Sequence, residues 1–263
     1  MGESSQQAQH EVAAIRAAIE MGYRVIDTAE MYGEGGAEAI VGNAVDQAIR
    51  AGDVARDDLF IVSKVYPHNA TAAAMVQACE RSRSRLRMDR IDAYLLHWRG
   101  AVPLDETVAA FERLQEHGRI RYWGVSNFDV SDMKEIAGIA GGARCVTNQI
   151  YFSLSSRGPA FDLLPWQQSR GFVTMAYSPI DQGALLQHDA LRQIAARRNA
   201  SPASLAIAWL VAQEGVMAIP KATSALHLRD NMEALSLTLS AHETAELDRA
   251  FPPPRRKAPL SMR

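Results

Sequence analysis

Residues 22–33 read Gly-Tyr-Arg-Val-Ile-Asp-Thr-Ala-Glu-Met-Tyr-Gly. The run Arg24–Thr28 predicts a short buried strand, because it is β-branched and apolar until it reaches the carboxylate of Asp27. Just before it, apolar residues recur at three- and four-residue spacing over Glu11–Met21, which predicts a helix that ends at Gly22. A helix followed by a strand with a polar end is one repeat of an alternating α/β fold.

The same pattern returns along the whole chain. Short apolar runs begin every 23 to 44 residues, and each is followed by a segment with helical periodicity. Such spacing is typical of parallel strands joined by crossover helices. The runs are apolar almost throughout, as strands covered on both faces are. The predicted strands are Arg24–Thr28, Leu59–Lys64, Ile91–Trp98, Tyr122–Ser126, Cys145–Ile150, Phe172–Ser178 and Val216–Pro220.

Two architectures alternate strands and helices in this way, an open doubly wound sheet and a closed barrel. The open dinucleotide-binding sheet usually carries Gly-x-Gly-x-x-Gly after its first strand, and the cluster Gly33-Glu-Gly-Gly36 does not match that motif. The sequence therefore favours an α/β fold of the (β/α)8 TIM barrel type, as a single domain over residues 1–263. Only seven strands are predicted, whereas such a barrel needs eight.

The composition excludes several classes of protein. The chain has 28 basic and 30 acidic residues, a net charge of −2, and is 48% apolar, which is ordinary for a globular protein. It lacks the basic excess of a nucleic-acid-binding protein, and the two helical segments within residues 190–213 fit crossover helices better than a DNA-binding pair. Neither a signal peptide nor a membrane span is visible. Cys79 and Cys145 are expected to be reduced core thiols. We expect a cytoplasmic protein without metal, a monomer or weak oligomer.

Three consecutive predicted strands end in polar residues that packing does not require, namely Asp27, Lys64 and His97. Carboxyl ends of parallel strands gather on one face, so these side chains are expected side by side, with Tyr32 leaning over them. A Lys64 ammonium held by Asp27 would stabilise a phenolate. Tyr32 could then protonate an oxyanion on a substrate carbonyl while His97 donates a second hydrogen bond. Each residue alone has an ordinary structural interpretation, but their grouping favours catalysis.

These motifs resemble those of the aldo-keto reductases. Residues 22–33 are similar to the family signature around its catalytic Asp and Tyr, residues 61–65 to its lysine strand and residues 94–98 to its histidine strand. Further family motifs follow in the family's order at residues 118–128, 147–149, 176–179 and 219–222. With the matches at residues 65–67 and 162–166, the chain is most similar to bacterial methylglyoxal reductases and 2,5-diketo-D-gluconate reductases.

The resemblance implies NADPH-dependent reduction of an aldehyde or ketone, with no metal and with Tyr32 as the general acid. The substrates would be small reactive carbonyls such as methylglyoxal. Tyr66 and Trp98 would line the substrate pocket, although packing of the rim is an equal alternative. The implied catalytic tetrad is Asp27, Tyr32, Lys64 and His97.

The resemblance also implies where NADPH or NADP+ would bind. Ser126, Asn127 and Gln149 would hold the nicotinamide carboxamide, and the Tyr177 ring would stack on the nicotinamide. His227 stands where many relatives have Arg, so weaker discrimination against NADH is expected. The residues implied along the pyrophosphate are Ser178, Pro179, Ile180, Gln182 and Gly183. Those implied at the adenosine phosphate and adenine are Lys221, Ala222, Thr223, Ser224, His227, Asp230 and Asn231.

The N-terminal end departs from the family pattern. Relatives begin with a β-hairpin and a first barrel strand, and nothing before Gln6 resembles either. We therefore expect a barrel without these elements and with a gap between the strands at residues 24–28 and 216–220. An incomplete barrel leaves strand edges unpaired. It also leaves open an alternative function, a catalytically impaired cofactor-binding or interaction protein on the same scaffold.

Overall fold

The structure is a computed structural model that describes residues 1–4 and 6–262. Within these residues, α-helices alternate with parallel strands. The strands are β1 (Val25–Asp27), β2 (Phe60–Val65), β3 (Ile91–Leu96), β4 (Ile120–Ser126), β5 (Cys145–Tyr151), β6 (Val173–Tyr177) and β7 (Val216–Ile219). The helices are α1 (Ala8–Glu20), α2 (Gly36–Ala51), α3 (Ala72–Leu86), α4 (Leu104–Glu116), α5 (Val130–Gly138), α6 (Leu163–Gln168), α7 (Asp189–Arg197), α8 (Pro202–Val211), α9 (Ala225–Glu233) and α10 (Ala241–Ala250).

All seven predicted strands are confirmed, each end lying within two residues of its predicted place. For β2 and β3 the reason is their burial. Every residue of β3 is buried, and in β2 only the first residue is not. Strands covered on both faces have to be apolar along their length, which makes them visible in a single sequence. The polar exceptions in these strands therefore stand out as residues with another role.

The chain divides into two compact units, and α5 and β5 have residues in both. The first unit contains Met1–Ser126 and Asp132–Val146, and the second contains Asn127–Ser131 and Thr147–Arg263. In the first unit β1 pairs with β2, β2 with β3 and β3 with β4, all in parallel. In the second unit β6 pairs in parallel with both β5 and β7. The expected gap between the two end strands of a barrel stays a prediction, as does the single domain.

The register of β1, β2 and β3 aligns the ends of these strands. Asp27 lies opposite Val62, and Lys64 lies opposite Leu95. Just beyond β3, the backbone N–H of His97 donates to the carbonyl of Val65 at 3.0 Å. The consecutive helices α1 to α4 each contact the next. With this register, the polar ends of β1, β2 and β3 lie along one edge.

The second unit packs around α8, which is buried along most of its length. Ser201 begins this helix by accepting a hydrogen bond from the Ser204 backbone N–H at 3.0 Å. Ile207 and Ala208 form a core cluster with Ala234, against which Ala218 of β7 also packs. This core anchors the segments that follow β6 and β7.

Two further features are the state of the cysteines and the length and polarity of the helices. Cys79 and Cys145 are buried thiols, as the sequence predicted. Across the residues that the structure describes, no helix is both long enough and apolar enough to cross a membrane.

Candidate active site

A fully buried lysine ammonium lies at the centre of the edge formed by β1 to β3. Lys64 is 0% exposed. Its Nζ donates to Asp27 Oδ2 at 2.7 Å and to the carbonyl oxygen of Thr28 at 2.9 Å. A third hydrogen bond runs from Nζ to the phenol oxygen of Tyr32 at 3.2 Å. An ammonium has three donors, so all three are used and each has a defined acceptor.

The electrostatics keep this lysine charged despite its burial. Burial by itself lowers the pKa of Lys64, but the charges and hydrogen bonds of Asp27 and Tyr32 outweigh it and leave that pKa raised. The Lys64–Asp27 pair is therefore an ion pair at neutral pH. Because Nζ donates to the Tyr32 oxygen, the hydroxyl proton of Tyr32 points to another acceptor.

His97 lies beside Tyr32 and is neutral. The two rings meet edge to face, with their centroids 5.7 Å apart. Burial, followed by the charge of Lys64, lowers the pKa of His97 to about 3. A neutral imidazole has one N–H, so it can donate one hydrogen bond to an oxygen atom without bringing a positive charge. The structure thus brings together all four residues of the expected tetrad.

Tyr66 and Trp98 follow the ends of β2 and β3 and lie next to this group. Trp98 is 4.9 Å from the His97 ring, and Tyr66 meets Trp98 edge to face at 5.9 Å, both between centroids. Both rings are half-buried. Their position is consistent with either the wall of a substrate pocket or packing of the rim.

Sequence reasoning missed several groups that hold this edge in place. The Thr28 carbonyl binds Lys64 through the backbone, which no residue pattern reports. Glu30 is 5% exposed, and its Oε1 accepts from the Tyr66 backbone N–H at 2.7 Å and from Asn69 Nδ2 at 3.1 Å. The sequence does contain a signal for Glu30, because its carboxylate stands between two apolar residues, Ala29 and Met31.

The expected nicotinamide residues lie in or next to strands: Ser126 ends β4, Asn127 follows it, Gln149 lies within β5 and Tyr177 ends β6. The Asn127 backbone N–H donates to the carbonyl of Gln149 at 2.8 Å, and the Tyr177 hydroxyl donates to Asn127 Oδ1 at 2.9 Å. Asn127 has a φ of 61°, a left-handed conformation that Asn tolerates better than most residues. Asn127, Gln149 and Tyr177 are therefore held together, and Tyr151 stacks on Tyr177 at 5.8 Å.

The loop after β6 is strained. Ser178, Asp181, Gln182 and Gly183 all have positive φ, which for the first three is an uncommon conformation. Asp181, which sequence reasoning missed, holds the loop by accepting from the Tyr151 hydroxyl at 2.7 Å and from Ser155 Oγ at 3.2 Å. Pro179 and Ile180 lie within the same turn. Non-glycine residues with positive φ are typical of ligand-binding loops.

The expected phosphate residues lie between β7 and the start of α9. Lys221, Thr223 and Ser224 are exposed, and Ser224 begins the helix by accepting from the His227 backbone N–H at 3.2 Å. Exposed hydroxyls and an ammonium at a helix N-terminus favour an anion. His227 is exposed, Ala222 and Asp230 are half-buried and Asn231 is buried.

Comparison with known proteins identifies the class. The chain belongs to the aldo/keto reductase family, whose family model matches residues 1–251. It is 46% identical to methylglyoxal reductase YeaE of Escherichia coli K12, over 100% of this chain and 92% of that protein. It is 34% identical to glyoxal reductase of Bacillus subtilis, over 89% and 81%.

A solved structure gives the same result. An aldo/keto reductase from Klebsiella pneumoniae in complex with NADP and acetate is 49% identical and aligns with a TM-score of 0.95, over 100% of this chain and 92% of that one. The family resemblance and the predicted fold class, the aldo-keto reductase type of α/β barrel, are thereby confirmed.

The depressed pKa of His97 predicts a specific sensitivity of stability to acid. In the unfolded chain an ordinary imidazole takes up a proton as the pH falls through about 6.5, whereas in the folded protein His97 stays neutral down to about pH 3. The unfolded state thus binds more protons between these values, so stability falls as the pH falls. Between pH 7 and pH 5, the free energy of unfolding should fall by about 2 kcal/mol more in the wild type than in His97→Gln.

Urea unfolding at the two pH values measures this difference. His117→Gln is the matched control, because His117 is exposed at the end of α4 and its loss should leave the wild-type pH dependence unchanged. An equal loss of stability in the wild type and in His97→Gln would show that the buried imidazole takes up a proton as readily as an exposed one.

Proposed function

We propose that the chain reduces small reactive aldehydes and ketones to alcohols with NADPH as the electron donor. The observation that carries this proposal is the Lys64 ammonium, which is fully buried, paired with Asp27 and hydrogen-bonded to the Tyr32 oxygen. When a proton leaves the phenol, the neighbouring ammonium stabilises the phenolate that remains.

In this proposal Tyr32 is the general acid. A substrate carbonyl oxygen accepts the Tyr32 proton as negative charge develops on that oxygen, and Lys64 stabilises the phenolate that is left. Asp27 keeps Lys64 charged and fixes the direction of its Nζ. General-acid help of this kind is typically worth about 10²–10⁴ in rate.

His97 donates a second hydrogen bond to the same substrate oxygen. Because its imidazole is neutral, it orients the carbonyl without competing with Tyr32 as a proton source. A charged imidazolium next to Lys64 would add a second positive charge in a buried place, at a high cost in free energy. The low pKa of His97 is therefore consistent with a binding role for this residue.

The second unit offers groups that fit NADPH, which supplies a hydride when bound. Asn127 and Gln149 present amide groups that suit a carboxamide, and Tyr177 presents a ring whose hydroxyl is already held by Asn127. The strained loop from Ser178 to Gly183 suits the pyrophosphate. The exposed ammonium of Lys221, on the segment between β7 and α9, suits the adenosine phosphate.

The residues around the tetrad support this substrate class. Tyr66 and Trp98 present aromatic surface beside His97, which suits a small carbonyl compound with few charges. Relatives named methylglyoxal reductase and glyoxal reductase support the same class. Methylglyoxal is therefore the first substrate to test.

Removal of one oxygen atom tests the general acid. Tyr32→Phe should lower kcat for methylglyoxal by at least about 10²-fold, because the proton donor is lost, and leave the dissociation constant for NADPH within about twofold. NADPH oxidation measures the first quantity and fluorescence titration the second. Tyr122→Phe, the same change near the start of β4, is the control and should retain activity.

Equal activity in Tyr32→Phe and the wild type would contradict the role of Tyr32. If the wild type binds NADPH but reduces no aldehyde in a broad panel, the alternative of a binding protein on a reductase scaffold is favoured instead.

A second variant tests the phosphate contact. Lys221→Ala should weaken NADPH binding about tenfold but leave NADH binding within about twofold, because only NADPH carries the extra phosphate dianion. Lys134→Ala, which removes an exposed lysine on α5, is the control and should change neither value. An equal loss for NADH and NADPH would place Lys221 away from that phosphate.

A further inference from the structure

Glu34 lies on the loop that carries Tyr32, in a backbone conformation that does not favour it. Gly33, Glu34 and Gly35 have φ values of 59°, 50° and 88°, three left-handed residues in succession. Glycine adopts this conformation freely, whereas a glutamate there is strained. Such strain at a residue with an exposed charged side chain raises the question of what that side chain does.

The Glu34 carboxylate faces the aromatic residues beside the tetrad. Its Oε1 accepts from the Tyr66 hydroxyl at 3.2 Å. Burial, and then the hydrogen bond and charge of Glu34, raise the pKa of Tyr66, which therefore remains a neutral donor. The contact thus places the Glu34 carboxylate beside the Tyr66 hydroxyl, which keeps its proton.

A continuous row of rings connects this carboxylate to the proton donor. The centroids of Tyr32 and His97 are 5.7 Å apart, those of His97 and Trp98 4.9 Å, and those of Trp98 and Tyr66 5.9 Å. The row ends at the hydroxyl that Glu34 binds. A molecule that placed its carbonyl at Tyr32 and its remaining atoms along these rings would extend toward Glu34.

The neighbouring arginines pair with other carboxylates. Arg81 faces Glu30 at 3.9 Å. Arg85 lies against Gly35, but its Nε donates to the buried Glu38 at 2.7 Å. Across residues 1–4 and 6–262, no cationic side chain forms an ion pair with Glu34. Arg99, just beyond Trp98, is paired elsewhere, with Asp132 and Glu135 at 2.7 Å.

We propose that Glu34 is a specificity-determining residue that selects neutral and cationic carbonyl compounds over anionic ones. The inference rests on the proposed reductase function and names the charge class of its substrates. Its physical basis is repulsion between the Glu34 carboxylate and an anionic substituent, across aromatic surface where water screens charges less than in bulk. Rejection of a wrong partner by an unpaired like charge is a common way to obtain specificity.

The test is a series of benzaldehydes of similar shape that carry a 4-nitro, 4-carboxylate or 4-trimethylammonio group. Glu34→Gln keeps an acceptor for the Tyr66 hydroxyl and removes only the charge. It should raise kcat/KM for the carboxylate about three- to tenfold and lower it for the ammonium compound by a similar factor. For the neutral nitro compound, kcat/KM should stay within about twofold.

Controls separate a local charge effect from a general one. Glu116→Gln removes an exposed carboxylate at the end of α4 and should leave all three values unchanged. Tyr66→Phe removes the hydrogen bond but keeps the charge, so the enzyme should still discriminate against the carboxylate. High salt should reduce the discrimination of the wild type.

Two results would overturn the inference, and they differ. If the ratios of kcat/KM among the three aldehydes are the same in Glu34→Gln and the wild type, Glu34 is not a charge filter and the reductase function stands. If the wild type reduces none of the three aldehydes and no other carbonyl compound, the proposed function fails and the inference fails with it.

Discussion

The buried ion pair between Lys64 and Asp27 is the interaction on which the first unit's site depends. An ammonium with no exposed surface is tolerated only if its charge is paired and its donors are satisfied. Asp27, the Thr28 carbonyl and the Tyr32 hydroxyl together meet this requirement. They can do so only if β1 and β2 pair in one register and the loop after β1 turns back over Lys64. The same contacts that satisfy the buried ammonium therefore place its charge beside the phenol oxygen of Tyr32.

The state of the neighbouring groups follows from that charge. His97 is buried near the Lys64 ammonium, so its pKa is lowered and its imidazole is a neutral hydrogen-bond donor. Glu30 and Glu38 bind backbone and side-chain donors below the rim, and each faces an arginine. Glu34, at the outer end of the row of rings, is left with a hydroxyl as its partner. Positive charge thus lies at the buried Lys64, and negative charge lies at the exposed Glu34. In the proposed function, this pattern suits the orientation of a neutral, polar carbonyl compound.

Much of this arrangement could be predicted from the sequence, and the physical reason differs for each part. Lys64 lies in a buried, apolar strand and His97 directly follows another, so their placement on a common edge follows from periodicity and parallel pairing. Groups that act through backbone geometry could not be predicted in this way. The Thr28 carbonyl has no side-chain signature, and the left-handed conformations at Glu34 and Asp181 depend on the packing of whole loops. The roles of the cofactor residues came from family resemblance and remain proposals.

A double-mutant cycle on the ion pair tests the central claim most directly. The free energies of unfolding of Asp27→Asn, Lys64→Met and the double variant are compared with that of the wild type. If the pair is held as described, each single variant should lose about 3 kcal/mol or more, because it leaves one buried charge unpaired. The double variant should then lose about 2–3 kcal/mol less than the sum of the two single losses. Additive losses, within about 0.5 kcal/mol, would show that the two groups do not stabilise each other and would contradict the account.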